Sequence, residues 1–229
     1  MSDDVQLKLL ELTGNSPLLR TEDLQSFHTP LLNARLTTLI EDGLLTASNG
    51  VLRMDARQRL LLAERLIHAG TDPKKVSRFL KWQEFEEFTE HLLRENGFST
   101  RKHYVFKSQV GRREIDILAW NDAFLLAIDC KHWLRGLAAG RLKEVVQAQV
   151  ERTEQLAQKP ELLDRLRIDH VTGRSILPVV LALGELHEHL VEHVPVVSVS
   201  KLLSFLYGVS PIDDGLRRVR ILSSQSRLM

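Results

Sequence analysis

The stretch Arg113–Trp133, REIDILAWNDAFLLAIDCKHW, constrains the fold more than any other part of the chain. Its apolar residues fall into two runs of strand length, and Asn121-Asp122 interrupts them as a turn signal. That pattern predicts two antiparallel strands with apolar surroundings. Among the Ile and Leu residues, however, stand Asp116, Asp129 and Lys131. A charge in such a setting costs several kcal/mol unless it is paired or binds a metal, so the three need one common explanation.

Side chains alternate along a strand, which puts Asp129 and Lys131 on one face and Cys130 on the other, in the core. A two-residue turn at Asn121-Asp122 pairs Trp120 with Ala123 and sets Glu114 opposite Asp129, with Asp116 as a diagonal neighbour on the same face. A four-residue loop also keeps the two aspartates together, whereas a three-residue loop separates them. Two carboxylates and an ammonium on one face suit a magnesium-dependent phosphodiesterase: carboxylates are hard oxygen ligands, and the ion lowers the pKa of a bound water. Lys131 would orient that water or neutralise charge on the phosphate. A buried Asp–Lys pair without chemistry fits the hairpin equally well, because Asp-x-Lys is a common spacing.

The rest of the chain supplies the frame. With 229 residues, 43% apolar and 27% charged, two soluble globular domains are expected. The net charge of +1 implies no polyanionic partner by itself. A single cysteine, Cys130, leaves no disulfide framework or Cys-rich zinc site and fits a reducing, cytoplasmic setting. The longest apolar runs, such as Ile176–Leu183, fall far short of the ~20 residues that cross a bilayer, so no membrane partner is expected.

Three helical patterns (Val5–Leu12, from Thr21, and from about Pro30 to the stop at Gly43) precede a hairpin with Asn49-Gly50 at its tip, the order of a winged helix. An amphipathic helix then runs to Gly70, and Asp72-Pro73 caps the next element. A winged-helix domain is therefore expected over residues 1–72. A second domain, 73–229, follows the order helix (Pro73–Asn96), antiparallel strands, helix (Leu142–Gln158), strand (Ile176–Leu183), strand (Val194–Val199), helix (Lys201–Tyr207). That order predicts an α/β fold with a mixed sheet flanked by helices.

Two helices bear on the charged hairpin. In KWQEFEEFTEHLLRENGF, Trp82, Phe85, Phe88, Leu92 and Leu93 form an apolar arc, and Glu86 lies at its edge, where it could reach the aspartates. Glu84, Glu87 and Glu90 read as a solvated acidic face. In the later helix Gln149 falls within the stripe of Leu142, Val145, Val146 and Leu156; an ordinary core amide and a site role are equal readings of it.

These residues resemble the PD-(D/E)xK, or restriction-endonuclease-like, nuclease superfamily. Its signature is Glu on a helix, Asp on a strand, then Asp/Glu-x-Lys on the next strand. FEEFTEHLLRENGF is similar to the first helix of archaeal Holliday-junction resolvases and Mrr-type restriction endonucleases, and DCKHW shares with the Mrr branch an aromatic soon after the lysine. The likeness covers about residues 82–158; Glu114-Ile115-Asp116 replaces the usual Pro-Asp. It implies a restriction-endonuclease-like fold and catalytic roles for Glu86, Asp116, Asp129 and Lys131; the site reading of Gln149 would add it to them. It also implies Mg²⁺, replaceable by Mn²⁺, held by Asp116, Asp129, Glu86 and the backbone carbonyl of Cys130, and DNA as substrate.

Arg101, Lys102, Lys107, Arg112 and Arg113 lie between Ser99 and Arg113 with no acid among them, a candidate phosphate track that Arg135 extends. In the winged helix, Asn33 and Arg35 are the groove readers and Glu41-Asp42 oppose phosphate, so DNA recognition and protein docking stay open; Arg53, Arg57 and Arg59 favour DNA. The expected function is a metal-dependent DNA endonuclease. The alternatives are a junction resolvase acting as a homodimer and a catalytically silent DNA-binding protein.

Overall fold

The computed structural model describes residues 2–24, 29–131, 139–168, 174–184, 189–210 and 214–222. It divides into two compact units, Met1–Phe88 and Thr89–Met229.

The first unit contains α1 (Ser2–Thr13), β1 (Leu18–Arg20), a 3-10 turn at Thr21–Leu24, α2 (Thr29–Glu41), β2 (Thr46–Ser48), β3 (Val51–Arg53), α3 (Ala56–His68), α4 (Pro73–Ser77) and the start of α5 (Trp82–Glu95). β3 is the middle strand of a small antiparallel sheet between β1 and β2. Asn49 and Gly50 both take positive φ (49° and 74°), as a two-residue hairpin turn requires, and only glycine does so without strain. Asp55 caps α3 by accepting from Gln58 N–H while the Gln58 side chain accepts from Asp55 N–H. Leu9, Leu10, Leu24, Leu39, Leu62 and Leu66 are fully buried.

The structure differs from the sequence expectation around residues 78–81: the pattern predicts one helix over Pro73–Asn96, and two are found. The cause is a buried ion pair. Arg59, 2% exposed, holds Glu84 through Nε at 2.8 Å, and its Nη1 donates to Leu10 O at 2.5 Å and Thr13 Oγ1 at 2.6 Å. Its Nη2 donates to the Phe79 carbonyl, which lies in the break. Glu84 in turn accepts from Lys81 N–H at 2.7 Å, closing the first turn of α5. Arg59 is thus core rather than part of a DNA-facing wing, and Glu84 is a buried partner rather than a solvated acid.

The second unit contains the rest of α5, β4 (Ser99–Ser108), β5 (Gly111–Trp120), β6 (Leu125–Lys131), α6 (Ala139–Ala157), α7 (Pro160–Asp164), β7 (Ser175–Ala182), β8 (Leu190–Val191), β9 (Val194–Ser198), α8 (Leu202–Gly208) and β10 (Val219–Arg220). The sheet runs β4-β5-β6-β7-β9-β8, with β10 also on β7; β6, β7 and β9 are mutually parallel and the other pairs antiparallel. This is the mixed α/β sheet that the order of elements implied. The parallel centre explains the unbroken apolar runs: almost every residue of β6, β7 and β9 is buried. α6 lies along the sheet, with Leu142, Val146 and Val150 against Val180, Ala182, Val194 and Val196, and Leu156 and Ala157 in the cluster of Leu118, Leu125, Ala127 and Ile176. α7, β8 and β10 carry no sequence pattern long enough to announce them.

Candidate active site

The site begins with strand register. β5 and β6 pair from Trp120↔Leu125 to Ile117↔Ile128, so the connection is the four residues 121–124 and not a two-residue turn. Asn121 builds that loop: its Oδ1 accepts from Ala123 N–H and Phe124 N–H, and its N–H donates to Phe124 O at 3.0 Å. Arg174, just before β7, donates from Nη2 to the carbonyls of Asn121 and Phe124 at 2.7 and 3.0 Å and ties the loop to the sheet. One step past Ile117↔Ile128, the same register sets Asp116 opposite Asp129; Glu114 is not the cross-strand partner.

Leu118, Leu125 and Ala127 join the residues of α6, so Asp116, Asp129 and Lys131, two or four residues on, face the same helix. The Asp129 side chain is 3% exposed. Its Oδ1 accepts from Lys131 Nζ at 2.9 Å and from Arg152 Nη2 at 2.6 Å. Lys131 Nζ also stands 2.8 Å from Oδ2, within ion-pair range, but its direction makes no hydrogen bond there, and Oδ2 is a buried oxygen without a hydrogen-bond donor among the described residues. Asp116 Oδ2 accepts from Cys130 N–H at 2.8 Å. Cys130 itself is fully buried on the other face.

Gln149 is fully buried on α6: Nε2 donates to Ala127 O at 2.7 Å, and Oε1 accepts from Arg152 Nε at 3.1 Å. It bonds to backbone as a core amide would, and it also orients the guanidinium that reaches Asp129. The sequence pattern does not single out Arg152. A signal is present all the same: it lies one turn beyond Gln149, where an i,i+3 neighbour shares the helix face.

Burial raises the Asp116 carboxyl above the ordinary aspartate value, and the Asp129 charge raises it further, against the opposing effects of Cys130 N–H, Lys131 and Arg152. A carboxyl so raised holds its proton in the folded protein to higher pH than in the unfolded chain. Its penalty on stability is therefore absent at low pH and grows as pH climbs from the ordinary aspartate range through the raised value. Asp116→Asn is expected to make the protein more stable than wild type in EDTA at neutral pH, with the gain shrinking as the ordinary aspartate range is approached. Urea denaturation at both pH values checks this; a less stable variant at neutral pH would contradict it.

Glu86 on α5 is 3% exposed. Among the described residues, no three His, Cys, Asp or Glu side chains stand together as a metal-holding cluster, so the aspartates form a pair. Of the basic residues, Arg101, Lys107 and Arg112 are exposed, with Lys107 directly across from Arg112 at the end of the β4–β5 hairpin. Lys102 is 3.4 Å from Glu90, and Arg113 Nε donates to Gln155 Oε1 at 3.0 Å, so both are engaged within the protein. Glu90 is also bonded to Arg94 and Thr100 and is no solvated acid. His132 and Arg135 lie outside the described residues.

Residues 77–159, which contain the carboxylate pair, Lys131, Gln149 and Arg152, match the restriction endonuclease family Mrr_cat. By that match, residues 77–159 belong to the restriction-endonuclease-like nuclease superfamily. An uncharacterized protein of Archaeoglobus fulgidus is 30% identical over 105 residues, which cover 45% of this chain and 72% of that one. Two solved structures are also similar. The protein of unknown function AF1548 is 17% identical with a TM-score of 0.31, over 55% of this chain and 54% of that one. Protein VC1899 from Vibrio cholerae is 16% identical with a TM-score of 0.34, over 80% of this chain and 42% of that one. The chain thus spans about half the length of each, and at those scores neither likeness bears on the fold. The matched stretch is a nuclease-type domain. No helix among the described residues is long and apolar enough to cross a membrane.

Proposed function

We propose that this superfamily member is a metal-dependent DNA endonuclease, with Asp116, Asp129 and Lys131 at its centre. The observation that carries the reading is the pair of aspartates facing one another across β5 and β6, Asp129 buried and Asp116 partly buried, the former with an oxygen that no hydrogen bond among the described residues satisfies. A hard divalent cation suits such a donor set, because it relieves the mutual repulsion of the carboxylates and satisfies the open oxygen. Asp116 and Asp129 would hold Mg²⁺ or Mn²⁺, with the Cys130 carbonyl as a further ligand of the reading. When bound, the ion supplies charge for the phosphate oxygens and acidifies a water.

The chain's own residues do the rest. Cys130 N–H fixes one oxygen of Asp116, so that the carboxylate presents its other oxygen without rotating. Lys131, held at Asp129, sits where negative charge grows on the phosphate during attack. Gln149 keeps the adjoining guanidinium in place.

Arg101, Lys107 and Arg112 would carry the DNA backbone, with Arg135 extending the track. Lys107→Ala combined with Arg112→Ala is expected to shallow the slope of log affinity against log salt for duplex DNA by roughly 1.8, about 0.9 for each phosphate that is no longer neutralised. Fluorescence anisotropy over a salt series measures it, and an unchanged slope would remove the hairpin from the interface. The order helix, strand, helix, hairpin in the first unit supports the winged-helix reading, which assigns residues 1–72 to targeting and 73–229 to cleavage. A homodimer would supply two such sites for the two strands of a duplex. The lone, buried Cys130 suits a cytoplasmic setting.

The reading is tested by incubating full-length protein with linear, branched and methylated DNA in Mg²⁺, Mn²⁺ or EDTA. Metal-dependent cleavage of any of them supports it; no cleavage in the panel counts against it.

A further inference from the structure

We propose that Arg152 is a resident counter-cation of the site: it occupies Asp129 Oδ1 in the metal-free protein, and a divalent cation that enters at the open Oδ2 must bind against its charge or displace it. The inference rests on the metal-site reading above and adds to it a residue that sets how tightly the site takes its ion.

Three observations support the role. First, the charges already balance without an ion. Two carboxylates, Asp116 and Asp129, face two cations, Lys131 and Arg152, and both cations act on Asp116 as well. An incoming divalent ion therefore meets a neutral cluster and two like charges, not a bare pair of acids. Second, the contact is strong and aimed. Arg152 Nη2 lies 2.6 Å from Asp129 Oδ1, a charge-assisted hydrogen bond, and Gln149 holds the same guanidinium through Nε. Third, the residue can move. The Arg152 side chain is 25% exposed while Asp129 is 3% exposed, so the guanidinium can swing towards solvent but the carboxylate must stay. A guanidinium released in this way remains beside the ion, where a phosphate would next meet it, and its flat donor edge fits phosphate oxygens.

The test is calorimetric titration of Mn²⁺ into the full chain, without nucleic acid, for wild type, Arg152→Gln, Arg152→Lys and Asp129→Asn. Glutamine removes the charge but can still donate to Asp129. It is expected to tighten Mn²⁺ binding on the order of tenfold, to lower the melting temperature in EDTA, and to enlarge the rise that Mn²⁺ produces. Lysine, which keeps the charge, is expected to stay within about threefold of wild type. A residue that merely supported the fold would lower both stability and metal affinity in the glutamine variant. If that variant, folded by circular dichroism, binds Mn²⁺ no tighter than wild type, the counter-cation role is overturned while the metal site stands. If wild type shows no Mn²⁺ binding that Asp129→Asn removes, the metal-site reading fails, and the inference with it.

Discussion

Asp129→Asn is expected to lower cleavage of DNA in Mg²⁺ by a thousandfold or more, on the order of what disappears with a transition-state electrostatic interaction, while duplex affinity stays unchanged or rises. The two effects separate because the substitution removes a proposed metal ligand and, at the same point, a negative charge close to where phosphate would lie. Asparagine keeps the size of the side chain and an acceptor for Arg152, so the strand pair has no steric reason to rearrange. Relief of the repulsion with Asp116 would by itself also raise metal-free stability. The structure removes that expectation, because Lys131 and Arg152 both sit on Asp129 and would lose their counter-charge. The gain is expected instead from neutralising Asp116. Gel-based cleavage and anisotropy on the same preparation decide the matter; wild-type-like cleavage would end the assignment of this site.

The largest effect on stability is expected from Arg59→Met, a loss of about 3–5 kcal/mol. The substitution strips the cation from Glu84, a carboxylate only 6% exposed, and removes the donor to Leu10 O, Thr13 Oγ1 and the Phe79 carbonyl. Much of the cost is the buried charge left behind, so adding Glu84→Met should recover part of it, although the orphaned carbonyls keep the double variant below wild type. Urea denaturation of the three proteins gives the comparison. A single variant within about 1 kcal/mol of wild type would show that Glu84 finds another partner. The same pair bears on where the chain can be divided. Asp72-Pro73 is a strong local stop and start signal, yet Glu84 and the Phe79 carbonyl, both after it, are satisfied by an arginine before it.

What the sequence conveyed and what it withheld follow from how far each interaction reaches. The alternation along β5 and β6 depends on one strand alone, so the shared face of Asp129 and Lys131 and the burial of Cys130 could be read directly. The loop length could not. Asn121-Asp122 is a good two-residue turn by local preference, and the four-residue form is favoured by the bonds of Asn121 Oδ1 and by Arg174, more than fifty residues away. The break between α4 and α5 was hidden for the same reason, since an arginine on α3 makes it. Gln149 drew notice because an amide in an apolar stripe is conspicuous. Arg152 did not, because a long cationic side chain at a stripe's edge usually reaches water, and only the register of Asp129 shows that it has a nearer partner.

The loop pinned by Arg174 also limits how this protein can vary over evolutionary time. Strand parity links the length of residues 121–124 to the side of the sheet on which Asp129 emerges. Gain or loss of one residue there, unless a bulge absorbs it, would send Asp129 and Lys131 into the space of Cys130 and bring Cys130 to face α6. Changes by two would keep the aspartates together but slide one past the other along the strands. Descendants of this chain that keep its chemistry should therefore show free substitution at Asp122 and Ala123, since the loop's bonds run through Asn121 and Arg174, alongside an almost invariant loop length. A surface turn with nothing catalytic in it is in this respect as tightly constrained as the carboxylates it aligns.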